Sequence, residues 1–405
     1  MFETPGLKWS KLLLSGDRYF LVTRALSLLL ALSFALIYSI QLGVERRGLL
    51  TFIMSTNLVF SILLISGLSL HIRNISRIEF EIEELGNYLS LLFVFSLMTP
   101  FLNLMSLRAW ESIYQTVIPN NLLLVSVIYC FFSTLSFGLN DALLLVKSIK
   151  IAAFLDISVV ILQILIYATL VSTGETSYFV AVLIAIIVSY LVMSFSIFTL
   201  LMYTFRPPLR FSPRVVFVLL KGGASTYIIS VTAGIVERVD KLFLGLQTTP
   251  GELGRYSTNQ SILASFKFLP DTISKLSLAR NRNYLKLQRY PKRLIFLLAL
   301  GGIVTILITQ QLVKNILGAE WSFPIQIFFA MALIEVLRGL HTITLTNAIG
   351  HNCIRSLTKL SLLQLIIVLL VQPIFIWHFG VIGALACSFM ALAPGLLMLR
   401  KHTYE

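Results

Sequence analysis

Charges set inside long apolar runs are the residues of this chain best placed to do chemistry. A charge in hydrocarbon is costly, so it normally faces a bundle interior or a wet cavity. Residues three or four apart share one face of a helix. Thr226, Ser230, Ala233, Glu237 and Asp240/Lys241 recur at that spacing, with Arg238 beside them. Lys267, Asp271 and Lys275 follow at i, i+4 around Pro270, which should kink its helix. Glu335, Arg338, Thr342 and Thr346 form a third stripe. Arg24, Ser27, Ala31, Ala35 and Tyr38 form a fourth, with a single charge.

Arg24, Arg238, Lys267 and Arg338 are candidates for a cationic cavity that takes an anionic substrate. Arginine offers a fork that fits phosphate, and lysine a point charge. Glu237, Asp240, Asp271 and Glu335 are candidates for gating or for coupling to protons or sodium. The same spacing also supports structural pairs: Glu237 with Lys241, Lys267 with Asp271, and Glu335 with Arg338. Lys241, Lys275 and Arg24 sit near span ends, where long side chains snorkel to the interface.

Catalytic motifs are absent: no G-x-S-x-G, H-E-x-x-H, P-loop or dinucleotide fingerprint occurs. The five histidines are scattered, and Cys130, Cys353 and Cys387 form no C-x-x-C pair. The pattern implies no enzyme, no cofactor and no metal.

These stripes need long helices to carry them. Of 405 residues, 57% are hydrophobic and 12% charged, and the mean hydropathy is +0.89. A soluble domain carries about 25% charge. Most of this surface must therefore face lipid, in an all-α integral membrane protein. A span takes about 20 apolar residues, and about twelve such segments occur. They lie at roughly 19–42, 48–70, 85–107, 116–137, 148–172 and 177–205, then 218–246, 255–279, 294–313, 322–346, 360–378 and 380–399. The first is too long for a signal peptide and reads as a span that stays.

The net charge is +14, with 32 Lys+Arg against 18 Asp+Glu. The basic residues cluster in short loops beside spans, which sets topology rather than binding nucleic acid. The bias is strong. It puts both termini in the cytoplasm, in the inner (cytoplasmic) membrane. The cluster Arg206-Pro207-Pro208-Leu209-Arg210-Phe211-Ser212-Pro213-Arg214 stops a helix. It divides the chain into a lobe at 1–205, a cytoplasmic linker at 206–214 and a second lobe at 215–405. A faint repeat supports two related lobes: Gly43-Val44-Glu45-Arg46-Arg47-Gly48 after the first span, and Gly251-Glu252-Leu253-Gly254-Arg255-Tyr256 after the seventh.

Several stretches resemble one family, the polysaccharide and O-antigen flippases of the multidrug/oligosaccharidyl-lipid/polysaccharide (MOP) exporter superfamily. Leu42-Gly43-Val44-Glu45-Arg46-Arg47-Gly48 is similar to its "LG-x-E-x-x-G" turn, and Ile65-Ser66-Gly67-Leu68 to its "SLGL". Ile235 to Gly245 resembles its "R-x-D-x-x-x-L" segment, and Gly254-Arg255-Tyr256 the following "lG-x-Y". Asn347-Ala348-Ile349-Gly350 and Phe379-Gly380-Val381-Ile382-Gly383-Ala384 complete the set. The third to sixth spans match poorly. The resemblance implies two six-helix lobes in a V shape and alternating access. It implies flipping of an undecaprenyl-diphosphate-linked oligosaccharide, with Arg238 and Asp240 at the cavity or its gate. It also implies a polymerase and a chain-length regulator as partners. A cation-coupled drug or metabolite antiporter of the superfamily is the alternative, followed by a membrane polysaccharide polymerase or ligase. A drug-cation site should be net acidic, and an enzyme should carry a long external loop.

Overall fold

The computed structural model describes residues 17–66, 82–114, 118, 120–145, 149–174, 176–209, 213–268, 270–272, 274, 310–311, 313–350 and 354–402. Among these residues the chain is helical, with no strand. This follows from lipid as solvent: a spanning helix satisfies every backbone group within itself.

Helix α1 runs Asp17–Ser61 and is broken at Gly43, whose φ of 72° suits a residue without Cβ. Residues on both sides of this break line one cavity, so the chain folds back there as two spans. A π turn, Ile62–Ser66, ends it. Helices α2 (Ile82–Tyr114), α3 (Asn120–Leu145), α4 (Ile149–Thr173) and α5 (Tyr178–Phe205) complete the first half. Arg206 caps α5 in the left-handed region, and the prolines at 207 and 208 follow.

Helix α6 (Pro213–Gln247) opens the second half. Helix α7 (Pro250–Leu263) has Thr249 as its N-cap and tightens into a 3-10 turn, Ala264–Lys267. That turn lies just before Pro270, so the change of winding precedes the proline. Helix α8 is Ile325–Gly350. Helix α9 (Ile354–Ile366) continues through a π turn into α10 (Gln372–His402). Helix α10 is broken at Gly380, with φ 54°. There a Cβ on Gly383 would sit 2.1 Å from the Phe375 carbonyl oxygen, so the turn is tight.

Seven described stretches are long and apolar enough to cross a membrane. The two longest, Tyr19–Ile65 and Arg355–Gly395, contain the breaks at Gly43 and Gly380. Each therefore has the length of two spans. The expected ninth span, 294–313, lies almost wholly outside the described residues, as do Lys275 and Cys353. Phe101, Phe195 and Trp377 are 70–71% exposed, side chains that water would not tolerate in such number but lipid does.

One apolar core joins the two halves. It includes Leu50, Phe52 and Trp110 from the first and Leu244, Leu253 and Trp321 from the second. Phe52 and Trp110 rings lie 4.2 Å apart. The second-half contact is made by α7 packing along α1. A Cβ on Gly48 would sit 1.8 Å from the Pro250 carbonyl oxygen, and one on Gly254 would sit 2.0 Å from that of Val44. The two repeat turns thus pack on each other. A separate core, with Leu85, Tyr88, Leu139 and Leu201, serves the first half alone.

Candidate functional site

Beyond that contact a cavity of about 560 Å³ lies between the halves. The α1 face carrying Arg24, Ser27, Ala31, Ala35 and Tyr38 lines it, all five residues of the first-span stripe. The returning half of α1 adds Arg47, Thr51, Asn57 and Ser61. Helices α3, α4 and α5 add polar groups including Ser133, Asn140, Asp156, Gln163 and Tyr190. From the second half come Arg238, Lys241, Ser257 and Ser261.

The lining charges are four cations, Arg24, Arg47, Arg238 and Lys241, and one carboxylate, Asp156. Arg24 Nη1 stands 3.6 Å from Asp156 Oδ2. Asn140 Nδ2 donates to Asp156 Oδ1 at 3.3 Å. Arg47 is 5% exposed, stacks its guanidinium 4.8 Å over the Tyr38 ring and donates from Nε to Thr258 Oγ1 at 3.4 Å. Lys241 is buried at the lining and makes no ion pair among the described residues. Arg238 is more open and lies 3.6 Å from Glu237. Clefts of one charge sign with low-dielectric walls focus potential, so this one attracts anions.

Arg338 and Lys267 are not in the lining. Arg338 is buried in the second half. Its Nη2 donates to Asp240 Oδ2 at 3.0 Å and its Nη1 to Glu335 Oε1 at 2.6 Å. Tyr256 donates its hydroxyl to Asp240 Oδ2 at 2.7 Å, and Gln260 Nε2 lies within 3.4 Å of both carboxylates. The cluster ties α6, α7 and α8 together with two carboxylates on one guanidinium. Lys267 Nζ pairs with Glu237 at 2.6 Å and Asp271 at 3.8 Å. The i, i+3 pair of Glu335 with Arg338 and the i, i+4 pair of Lys267 with Asp271 therefore form. Glu237 turns to Lys267 and Arg238 rather than to Lys241.

Four lining groups escaped the sequence reading. Arg47 was placed in an external turn, but the break at Gly43 carries it inward. Lys241 was placed at an interface, yet it lies on the cavity side of α6, three residues from Arg238. Asp156 and Gln163 sit in the apolar run 149–173, where a lone carboxylate is itself a signal of function.

No protein-family model and no curated protein matches the chain. Solved structures do. A multidrug-resistance transporter of the MATE family, MOP superfamily, in an inward-facing conformation aligns at TM-score 0.67 and 14% identity, over 95% of this chain and 94% of that one. The lipid II flippase MurJ in an inward closed conformation aligns at 0.64 and 15%, over 95% and 87%. A MOP-superfamily transporter from Pyrococcus furiosus, described by the reverse polarity of its binding pocket, aligns at 0.55 and 14%, over 96% and 95%. At such identities the likeness speaks for architecture and not for cargo. The chain is an all-helical integral membrane protein with the fold of the MOP-superfamily transporters.

Proposed function

We propose that this protein flips an undecaprenyl-diphosphate-linked oligosaccharide across the cytoplasmic membrane by alternating access, for surface polysaccharide synthesis. One observation carries the reading: the cavity between the halves holds four cations against one carboxylate, and Asp156 already offsets Arg24. Arg47, Arg238 and Lys241 are left to neutralise an anion. Two of these are forks that suit phosphate oxygens. The lipid tail stays in the bilayer while the head group crosses between the halves. A polymerase and a chain-length regulator would take the product on the far side. In this reading Arg24 and Arg238 touch the cargo. Lys267 and Arg338 act indirectly, by holding the second half together. Glu237, Asp240, Asp271 and Glu335 serve as gating or ion-coupling groups behind the cavity wall.

A cation-coupled antiporter is the second reading, favoured by the buried carboxylates Asp240 and Glu335 behind Lys241. The excess of cavity cations speaks against a cationic drug as cargo.

The test follows a radiolabelled lipid-diphosphate oligosaccharide in cells lacking their own flippase. Expression of this chain should make the glycan accessible to an external cleaving probe. Continued cytoplasmic accumulation of several glycan types, with well-inserted protein, would overturn the reading in favour of the antiporter.

A further inference from the structure

The cavity lining is divided by chemistry. Arg47, Arg238 and Lys241 lie on α1 and α6. The wall built by α3, α4 and α5 carries no lysine or arginine. It offers Tyr129, Ser133, Asn140, Asp156, Gln163 and Tyr190 instead. A diphosphate is an acceptor only, and a carboxylate repels it. A sugar ring carries hydroxyls that both donate and accept, and C–H faces that pack on aromatic rings. Hydroxyls, amides and one carboxylate supply both halves of that exchange.

Two groups on this wall have unused capacity. The buried Asn140 Oδ1 has no hydrogen-bond partner, while its Nδ2 orients Asp156. Among the described residues the Gln163 amide makes no hydrogen bond, although it lines the cavity. A buried amide oxygen without a partner costs about 1–3 kcal/mol, so a ligand hydroxyl that reaches it is favoured. Tyr129 and Tyr190 add aromatic surface, with ring centroids 6.4 Å apart and planes 33° from parallel. The position along α1 also fits. Arg24 precedes Tyr38, the ring under Arg47, by 14 residues, a rise of about 21 Å. A diphosphate on Arg47 and Lys241 therefore leaves the stretch toward Arg24 for another part of the cargo.

We infer that the α3–α4–α5 wall is a carbohydrate subsite, which binds the sugar portion of the cargo while Arg47, Arg238 and Lys241 hold the diphosphate. This rests on the flippase reading above and adds to it where each part of the head group sits.

The experiment measures binding to the full-length protein in nanodiscs. The probes are undecaprenyl diphosphate alone and the same lipid carrying N-acetylglucosamine, N-acetylgalactosamine or galactose. At least one glycosylated probe should bind more tightly than the bare lipid. Asn140→Leu and Gln163→Leu should weaken that probe about tenfold and leave the bare lipid unchanged. Lys241→Met should weaken both alike. Milder Asn140→Ala and Gln163→Ala replace any leucine variant whose melting midpoint falls below the parent's. If all probes bind equally, or folded wall variants weaken bare and glycosylated lipid by the same factor, the subsite is wrong and the diphosphate reading stands. If the parent fails to bind the bare lipid, the flippase reading falls and the subsite with it.

Discussion

The hydroxyls of Thr51 and Ser257 meet at 2.8 Å, each three residues beyond a glycine packed on the other helix. Gly48 meets Pro250, four residues before Gly254, and Gly254 meets Val44, four residues before Gly48. Equivalent positions of the two repeat turns thus touch across an approximate two-fold relation. This is where the halves are joined, and an alternating-access cycle must part them.

Thr51→Cys with Ser257→Cys should therefore form a disulfide under mild oxidation, since the side chains already touch. Transport should stop in the oxidised double variant and return on reduction. The parent, with Cys130 and Cys387 buried, should be insensitive to the same oxidant. Transport unaffected by a complete cross-link would show that this contact does not open.

The same contact tolerates no added methyl. Gly254→Ala should destabilise by about 1–3 kcal/mol, the cost of overpacking against backbone that cannot yield. Gly251→Ala is the control, because its Cβ would meet only Val44 and Glu45 side-chain atoms at 3.8 and 3.9 Å. Thermal melting in detergent should separate the two variants. Equal midpoints would contradict the packing described.

Arg338 and Arg238 should differ in kind. Arg338→Met leaves Asp240 and Glu335 buried without their cation, at a cost of about 3–5 kcal/mol. Adding Asp240→Asn and Glu335→Gln should recover much of that stability. Arg238, 37% exposed at the cavity, should show the opposite pattern. Arg238→Ala should keep the parent's melting midpoint and lose most transport. Arg238→Lys keeps the charge without the fork and should retain part of it. A destabilised Arg238→Ala, or a stable Arg338→Met, would reverse the assignment.

Arg24→Ala should impair transport less than Lys241→Met, because Asp156 already offsets the Arg24 charge at 3.6 Å. Asp156→Asn should then raise the cavity's net charge. In the flippase assay it should tighten binding of bare undecaprenyl diphosphate while leaving Lys241→Met defective. Tighter binding that depends on Arg24 is the expected signature, and its absence would mean the pair does not tune the cavity.

The sequence alone determined that the chain lives in lipid, that it is helical, and roughly where most spans run. Long apolar runs admit no other solution in a bilayer, and that is a local property. It also determined the first-span face, because Arg24, Ser27, Ala31, Ala35 and Tyr38 are the polar or small positions on an otherwise bulky helix. The tertiary structure decided the rest. Only packing turned α6 so that Arg238 and Lys241 face the cavity while Asp240 faces Arg338, 98 residues away. In lipid both faces of a span are apolar, so spacing names a stripe without saying which side it meets. Only the backbone break at Gly43 brought Arg47 inward, and only the pairing of α1 with α7 made the two glycine turns one contact. Those outcomes depend on partners far along the chain, and no local pattern encodes which partner a helix face will find.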